Sequence, residues 1–181
     1  MAAAPPHEGF EVFLQPGEWY FDVAGVRLRT VLGSCVALTL WHRRRRIGGM
    51  CHYMLPSRAR VRDVADLDGR YGDEALLLLE REAARFGTRL REYEAKLLGG
   101  ASMFGGVQAG GGAVVPAFAS VPDRNVEQAR LLVARHGLKV RSESLGGLAH
   151  RQVVFDIESG DVWLRTGTAR DYVALAAGEP A

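Results

Sequence analysis

Two apolar runs stand on either side of four consecutive arginines in the first third of the sequence. The first run, CVALTLWH, ends at His42, and the second, IGGMCHYML, begins at Ile47. Each run has the length of a buried strand and is short for a buried helix. Arg43–Arg46 supply a charged turn between the runs. The sequence therefore predicts a β-hairpin with two buried strands.

The rest of the sequence predicts more strands and two helices. Residues 10–35 alternate apolar and polar side chains around proline and glycine turns, which is typical of strands. Apolar residues recur with helical spacing over 73–86 and over 123–136. Residues 138–165 return to short alternating strands. The pattern indicates an α+β fold with two main helices.

The length of 181 residues favours a single domain spanning 1–181. We expect its folded core to cover about residues 9–170. Residues 1–8 and 174–181 are rich in alanine, proline and glycine, so we expect them to be flexible tails.

Charge and composition argue against several classes of protein. A formal net charge of +2 is too small to indicate a nucleic-acid partner. Charged residues interrupt every apolar stretch before the length of about 18–20 residues that a membrane span needs. The N-terminus lacks the features of a secretory signal, and two cysteines are too few for a disulfide scaffold. We therefore expect a cytoplasmic protein with reduced thiols, no nucleic-acid partner and no membrane insertion.

Cys35 and His52 are the leading candidates for chemistry. Cys35 follows Gly33-Ser34, a pair that permits a sharp turn and that would direct backbone N–H groups at an oxyanion. His52 lies on the next predicted strand, where pairing across the hairpin would bring its imidazole to the thiol. Such a partner would lower the thiol pKa below the value of about 8.5 of a free cysteine. The residues alone leave open a buried cysteine without chemistry, since free cysteine is among the most buried residue types.

Cys51 has a simpler interpretation as a core residue. It directly precedes His52, so on a strand the two side chains point to opposite faces. This arrangement disfavours a metal site shared by both cysteines and the histidine. The glycine-rich segment 99–113 lacks the Gly-Lys-Ser/Thr ending of a phosphate loop. We therefore expect neither a metal nor a cofactor.

Three polar features are expected at the surface. His42 stands at the edge of the arginine turn, and the acidic residues of the first helix, Glu74 among them, are expected to form a solvated face. Arg43–Arg46 form a solvated turn in the simpler interpretation and a docking patch for an acidic partner in the alternative.

Seven sequence blocks occur in a fixed order along the chain. They are FLQPGEWYF, LGSCVALTL, GGMCHYMLP, RYGDEALLLL, KLLGGASMF, DRNVEQARLLV and SLGGLAHRQVVFDIESGDVWLR. In these blocks and their order the sequence resembles the CheD family of chemoreceptor glutamine deamidases. The resemblance covers roughly residues 11–166.

The resemblance implies a fold, an activity and partners. The fold would be a three-layer α/β/β sandwich with mixed sheets. The activity would be hydrolysis of glutamine side-chain amides on methyl-accepting chemotaxis receptors, giving glutamate and ammonia, without a cofactor. It also implies hydrolysis of receptor glutamate methyl esters and a CheC-type phosphatase as a partner.

The resemblance also assigns three site residues. Cys35 would be the nucleophile, His52 its partner, and Thr30 the third polar group of the site. Two alternatives remain open. One is a cysteine peptidase or amidase that acts on another substrate. The other is an adaptor without catalysis that binds a CheC-type phosphatase or receptors.

Overall fold

The computed structural model describes residues 4, 6–58, 63–102, 120–167 and 173–175. Within these residues the chain forms ten strands, two α-helices and two short 3₁₀ helices, at Val64–Asp66 and Leu90–Glu92. The helices are α1 (Gly72–Arg85) and α2 (Val121–Arg135). The strands are β1 (Phe10–Phe13), β2 (Trp19–Val23), β3 (Val26–Leu32), β4 (Val36–His42), β5 (Ile47–Tyr53), β6 (Glu94–Gly99), β7 (Lys139–Leu145), β8 (Arg151–Asp156), β9 (Val162–Thr166) and β10 (Val173–Leu175).

The strands form two five-stranded sheets. Sheet 1 has the order β1-β3-β8-β9-β10, and sheet 2 has the order β2-β5-β4-β6-β7. β1 runs parallel to β3 and β6 parallel to β7, whereas the other pairs are antiparallel. The predicted hairpin is β4 and β5, at the centre of sheet 2. The two helices and the mixed sheets confirm the predicted α+β sandwich.

Sheet 2 is the middle layer because both of its faces are apolar. Along β4, Leu38 and Leu40 belong to the cluster that includes the buried faces of α1 and α2. Ala37 and Trp41, on the opposite face, belong to the cluster between the two sheets. Successive side chains of a strand point to opposite faces, so a strand in the middle layer buries the side chains of both faces and is mostly apolar. All seven residues of β4 are buried.

Both helices begin at the same end of sheet 2. Gly72, the first residue of α1, packs against the ring of Tyr53 at the end of β5. Asn125, in the first turns of α2, accepts a hydrogen bond at its carbonyl oxygen from the Tyr53 hydroxyl (2.7 Å). At the other end of the sheet, Arg45 Nη1 donates to the carbonyl of Phe86, just after α1 (2.6 Å). The helix N-termini therefore share one end with the start of β4 and the end of β5.

Two surface predictions were wrong. Glu74 is fully buried, and its carboxylate accepts hydrogen bonds from Arg58 Nε (2.6 Å) and from the backbone N–H of Asp68 (2.8 Å). These hydrogen bonds compensate the cost of removing the Glu74 carboxylate from water. His42 is also buried, and its ring meets the ring of Tyr93 edge-on at 5.3 Å between centroids. The Arg58 side chain lies 16 residues before Glu74, and Tyr93 belongs to a different part of the chain from His42, so spacing could not predict these contacts.

The described residues cover only part of the expected tails and of the glycine-rich segment. Residues 1–3, 5 and 176–181, and residues 103–113 of segment 99–113, lie outside the described residues. Val173–Leu175 form β10, which pairs with β9. In the described part of the chain, no helix combines the length and the apolar character that crossing a bilayer requires.

The buried ion pair of sheet 1 gives a stability prediction. Arg27 and Asp156 face each other across β3 and β8, 2.9 Å apart, with side chains only 5% and 10% exposed. Arg27→Ala leaves Asp156 buried and unpaired, so it should lower the free energy of unfolding by about 3–5 kcal/mol. Arg29, on the same strand, pairs with Glu11 in solvent. Arg29→Ala should cost less than about 1 kcal/mol in the same urea titration. Equal losses of unfolding free energy in the two variants would show that the buried pair stabilises the fold no more than the exposed one.

Candidate active site

Cys35 ends the short turn that connects the two sheets. β3 of sheet 1 stops at Leu32, and β4 of sheet 2 starts at Val36. Residues 33–35, here called the nucleophile turn, cross from one sheet to the other. The Cys35 side chain is partly exposed and packs against the cluster between the sheets.

His52 lies on the same face of sheet 2 as Cys35. The residue directly opposite His52 in the β4–β5 ladder is Ala37, two positions after Cys35. In this register Cys35 is diagonal to His52. The hairpin prediction had placed the two residues directly opposite each other. Cys51 points to the helix layer, where it is buried in the core. This confirms the predicted separation of Cys51 from His52.

Thr30 reaches His52 across the gap between the sheets. It lies on β3, and its hydroxyl is 2.8 Å from His52 Nδ1. The same hydroxyl donates its only proton to the carbonyl of Leu14, also at 2.8 Å. Because a hydroxyl carries a single hydrogen and the Leu14 carbonyl can only accept, both contacts are satisfied when His52 Nδ1 donates to Thr30. In the neutral imidazole this leaves Nε2 unprotonated, with its lone pair free to accept a proton.

A cavity of about 540 Å³ lies at this end of the molecule and contains both candidates. Its polar lining includes Cys35, His52 and three serines, and its apolar lining includes Val31 and residues at the start of α2. The full lining is Pro16, Val31, Gly33, Ser34, Cys35, His52, Ser102, Ser120, Val121 and Pro122. His52 Nε2 is buried and has no hydrogen-bond partner among the described residues. The cavity therefore brings a thiol to the same space as a histidine that has a free acceptor atom.

Burial opposes charge on both members of the pair. It raises the pKa of the Cys35 thiol, and a hydrogen bond with the Ser34 side chain offsets part of that rise. Burial lowers the pKa of His52, against smaller opposing effects of the Leu14 carbonyl and the charge of Glu18. Both directions favour the neutral thiol with the neutral imidazole. The prediction of a lowered thiol pKa was therefore wrong, because burial is the largest effect on the pKa of Cys35 and raises it.

A metal site has no support in the part of the chain that the structure describes. No group of three or more histidine, cysteine, aspartate or glutamate side chains there is placed to hold a metal ion. Burial raises the pKa of Cys51 to about 12, which keeps this thiol protonated.

Sequence reasoning missed Asn125 as a residue of this site. Asn125 is fully buried, and its amide nitrogen donates to the carbonyls of Ser34 (3.0 Å) and Met54 (2.8 Å). A signal was present, because Asn125 precedes Ala129 by four residues and so shares the core face of α2. An asparagine on the apolar face of a helix calls for partners beyond the helix.

The arginine turn lies far from the cavity. β4 has seven residues, so at about 3.4 Å per residue the turn is more than about 20 Å from Cys35. Arg45 holds the end of α1 through the carbonyl of Phe86, and Arg46 pairs with Glu158. The four side chains are exposed.

A family model described as CheD chemotactic sensory transduction matches residues 54–166, more than half of the chain. The chain belongs to the CheD family. The matched range begins after β5, so Thr30, Cys35 and His52 lie outside it. Their assignment therefore depends on the geometry above and on the resemblance of LGSC and GGMCH.

Alignments with individual CheD relatives cover more of the chain. It is 48% identical over 165 residues to a probable chemoreceptor glutamine deamidase CheD of Chromobacterium violaceum, covering 90% of this chain and 82% of that protein. It is 48% identical over 162 residues to a protein of the same description from Dechloromonas aromatica, covering 90% and 91%. A relative from Leptospira interrogans is 33% identical over 163 residues, covering 88% and 94%.

The raised pKa of Cys35 gives a prediction for alkylation. Iodoacetamide reacts with the thiolate, and a raised pKa means that less thiolate is present at a given pH. The rate of Cys35 alkylation should therefore rise with pH around a midpoint above that of free cysteine. Mass spectrometry of the intact protein measures this rate.

Cys35→Ala should take up no label while folded, because Cys51 is 1% exposed. A midpoint below that of free cysteine would show that the ion pair already exists in the free site.

Proposed function

We propose that this protein is a chemoreceptor glutamine deamidase. It hydrolyses glutamine side-chain amides of methyl-accepting chemotaxis receptors to glutamate and ammonia, with Cys35 as nucleophile, His52 as base and acid, and Thr30 as the residue that orients His52. The relatives described as probable chemoreceptor glutamine deamidases support the reaction. The cytoplasmic location implied by the resemblance is part of the same proposal.

One observation carries the assignment of the residues. His52 lines the same cavity as Cys35, its Nε2 is buried without a partner among the described residues, and its Nδ1 is bound to Thr30. A buried nitrogen without a partner lowers stability, and a catalytic role explains why such an atom is kept. The free Nε2 is the atom that a general base needs, and its orientation is fixed from the other side of the ring.

The first half of the reaction forms a thioester. His52 Nε2 takes the proton of Cys35 Sγ as the sulfur attacks the amide carbon of the glutamine, so the neutral pair becomes charged only during attack. The tetrahedral intermediate carries its negative charge on the former amide oxygen. Its collapse breaks the carbon–nitrogen bond, and the imidazolium gives its proton to the leaving nitrogen, which departs as ammonia.

The second half restores the enzyme. Water attacks the thioester carbon while His52 Nε2 accepts one of its protons. The carbon–sulfur bond then breaks, Cys35 regains a proton from the imidazolium, and glutamate is released. The sum is amide plus water giving acid plus ammonia, which balances without an oxidant or a reductant.

The resemblance extends this proposal in two directions. A glutamate methyl ester reacts through the same thioester with methanol as leaving group, so receptor methylesterase activity requires no additional residue. A CheC-type phosphatase is a proposed protein partner. The adaptor alternative predicts binding to such a phosphatase or to receptors without a role for the Cys35 thiol.

The two cysteines provide the main test. Cys35→Ala should release no ammonia from a receptor cytoplasmic fragment and should convert no glutamine to glutamate by peptide mass spectrometry. Cys51→Ala is the matched control, since it removes a thiol from the helix side of the same sheet. It should keep most activity and lose about 1 kcal/mol of stability through a small cavity. Normal turnover by Cys35→Ala would refute the assignment. New amino termini on the receptor fragment without release of ammonia would favour a peptidase. A wild type that releases no ammonia but binds receptors or a CheC-type phosphatase would favour the adaptor.

The role of Thr30 is tested with two substitutions at the same position. Thr30→Val keeps the shape and removes the hydroxyl, so His52 Nδ1 loses its acceptor and the free tautomer is no longer fixed. We expect kcat to fall about 10- to 100-fold, a part of what a general base contributes. Thr30→Ser keeps the hydroxyl and should keep kcat within about threefold. Equal losses in the two variants would show that packing, and not the hydrogen bond, is what Thr30 supplies.

A further inference from the structure

All three carbonyl groups of the nucleophile turn are held by donors from other elements. The Gly33 carbonyl accepts from the Ala101 N–H (2.8 Å), and the Cys35 carbonyl accepts from the Gly100 N–H (2.7 Å). The Ser34 carbonyl accepts from the Asn125 amide (3.0 Å). The turn is thus bound to the segment after β6 and to α2.

The glycines after β6 permit this approach. Gly99 and Gly100 have φ angles of +107° and +67°, a conformation that side chains rarely adopt. A Cβ atom at Gly99 would lie 2.3 Å from the Cys35 carbonyl oxygen. The two positive angles turn successive backbone N–H groups toward the nucleophile turn.

Fixing the carbonyls also fixes the N–H groups that follow them. In a trans peptide the N–H of one residue points opposite to the carbonyl of the residue before it. The N–H groups of Ser34 and Cys35 therefore point away from Ala101 and Asn125. Neither has an acceptor among the residues that the structure describes. Both residues line the cavity that His52 also lines.

We infer that Ser34 and Cys35 supply the backbone donors for the oxyanion, and that Asn125 is the positioning residue that directs the Cys35 N–H. Asn125 is suited to this task because a single amide nitrogen binds both the Ser34 carbonyl and the carbonyl of Met54, just after β5. It therefore sets the turn that contains the nucleophile relative to the strand that contains His52. The inference adds a residue to the proposed reaction and rests on Cys35 being the nucleophile.

Two reagents separate this role from a purely structural one. p-Nitrophenyl acetate acylates Cys35 through a tetrahedral oxyanion, whereas iodoacetamide alkylates the same sulfur without forming one. Asn125→Ala should slow acylation by p-nitrophenyl acetate at least about tenfold, since loss of one well-placed oxyanion donor costs about 10²–10³. The alkylation rate should stay within about threefold. Cys35→Ala supplies the background rate for both reagents.

Tyr53→Phe is the matched control. It removes the hydroxyl that donates to the Asn125 backbone carbonyl, so it also deletes a buried hydrogen bond of this residue, but it leaves the Ser34 bridge in place. It should change neither rate by more than about threefold. Asn125→Leu, which fills the space without a donor, provides a second variant if the alanine protein unfolds. It should repeat the selective loss of acylation.

Equal changes in acylation and alkylation, or no change in either, would overturn the inference. The result is independent of the receptor substrate. A wild type that is acylated with the expected dependence on Asn125 but releases no ammonia from receptor fragments would support this inference and refute the proposed substrate. If the wild type deamidates receptors and neither reagent distinguishes the Asn125 variants, the proposed substrate is supported and this inference is refuted.

Discussion

The hydrogen bond between Thr30 and His52 joins the two sheets at the point where chemistry is proposed. Each partner is almost fully buried, and each belongs to a different sheet. The bond uses the Thr30 hydroxyl as an acceptor because its proton is already given to the Leu14 carbonyl. A short chain of polar groups therefore decides which nitrogen of His52 is free. Mispairing of the two sheets would remove the acceptor and leave a buried N–H without compensation.

The same end of the molecule gathers the other parts of the site for a topological reason. β4 starts there, β5 and β6 end there, and α2 begins there. The nucleophile turn is short because it links adjacent layers, and the Gly99-Gly100 segment and Asn125 hold its carbonyls. The arginine turn is at the opposite end, so an acidic partner bound there would leave the cavity open. The charged turn and the proposed chemistry are thus separate parts of the surface.

The sequence predicted the elements better than the contacts between them. Local periodicity places α1, α2 and the β4–β5 hairpin within one or two residues of their observed bounds. Alternation along β5 correctly separated Cys51 from His52. Thr30 came only from the resemblance, because a bond between two sheets leaves no spacing signal. Asn125 and Glu74 were missed or misplaced because their partners lie 6 to 91 residues away in the chain. The direction of the thiol pKa was wrong because burial cannot be read from neighbouring residues.

The central claim is that the amide carbon of a receptor glutamine becomes bonded to Cys35 Sγ. Rapid acid quenching of wild-type protein during turnover of a receptor fragment, followed by peptide mass spectrometry, tests this directly. The account predicts a Cys35 peptide joined to the receptor peptide with the loss of one ammonia, and release of this adduct by hydroxylamine, as for a thioester. Steady conversion of glutamine to glutamate with no adduct on Cys35, while Cys35→Ala remains active, would contradict it.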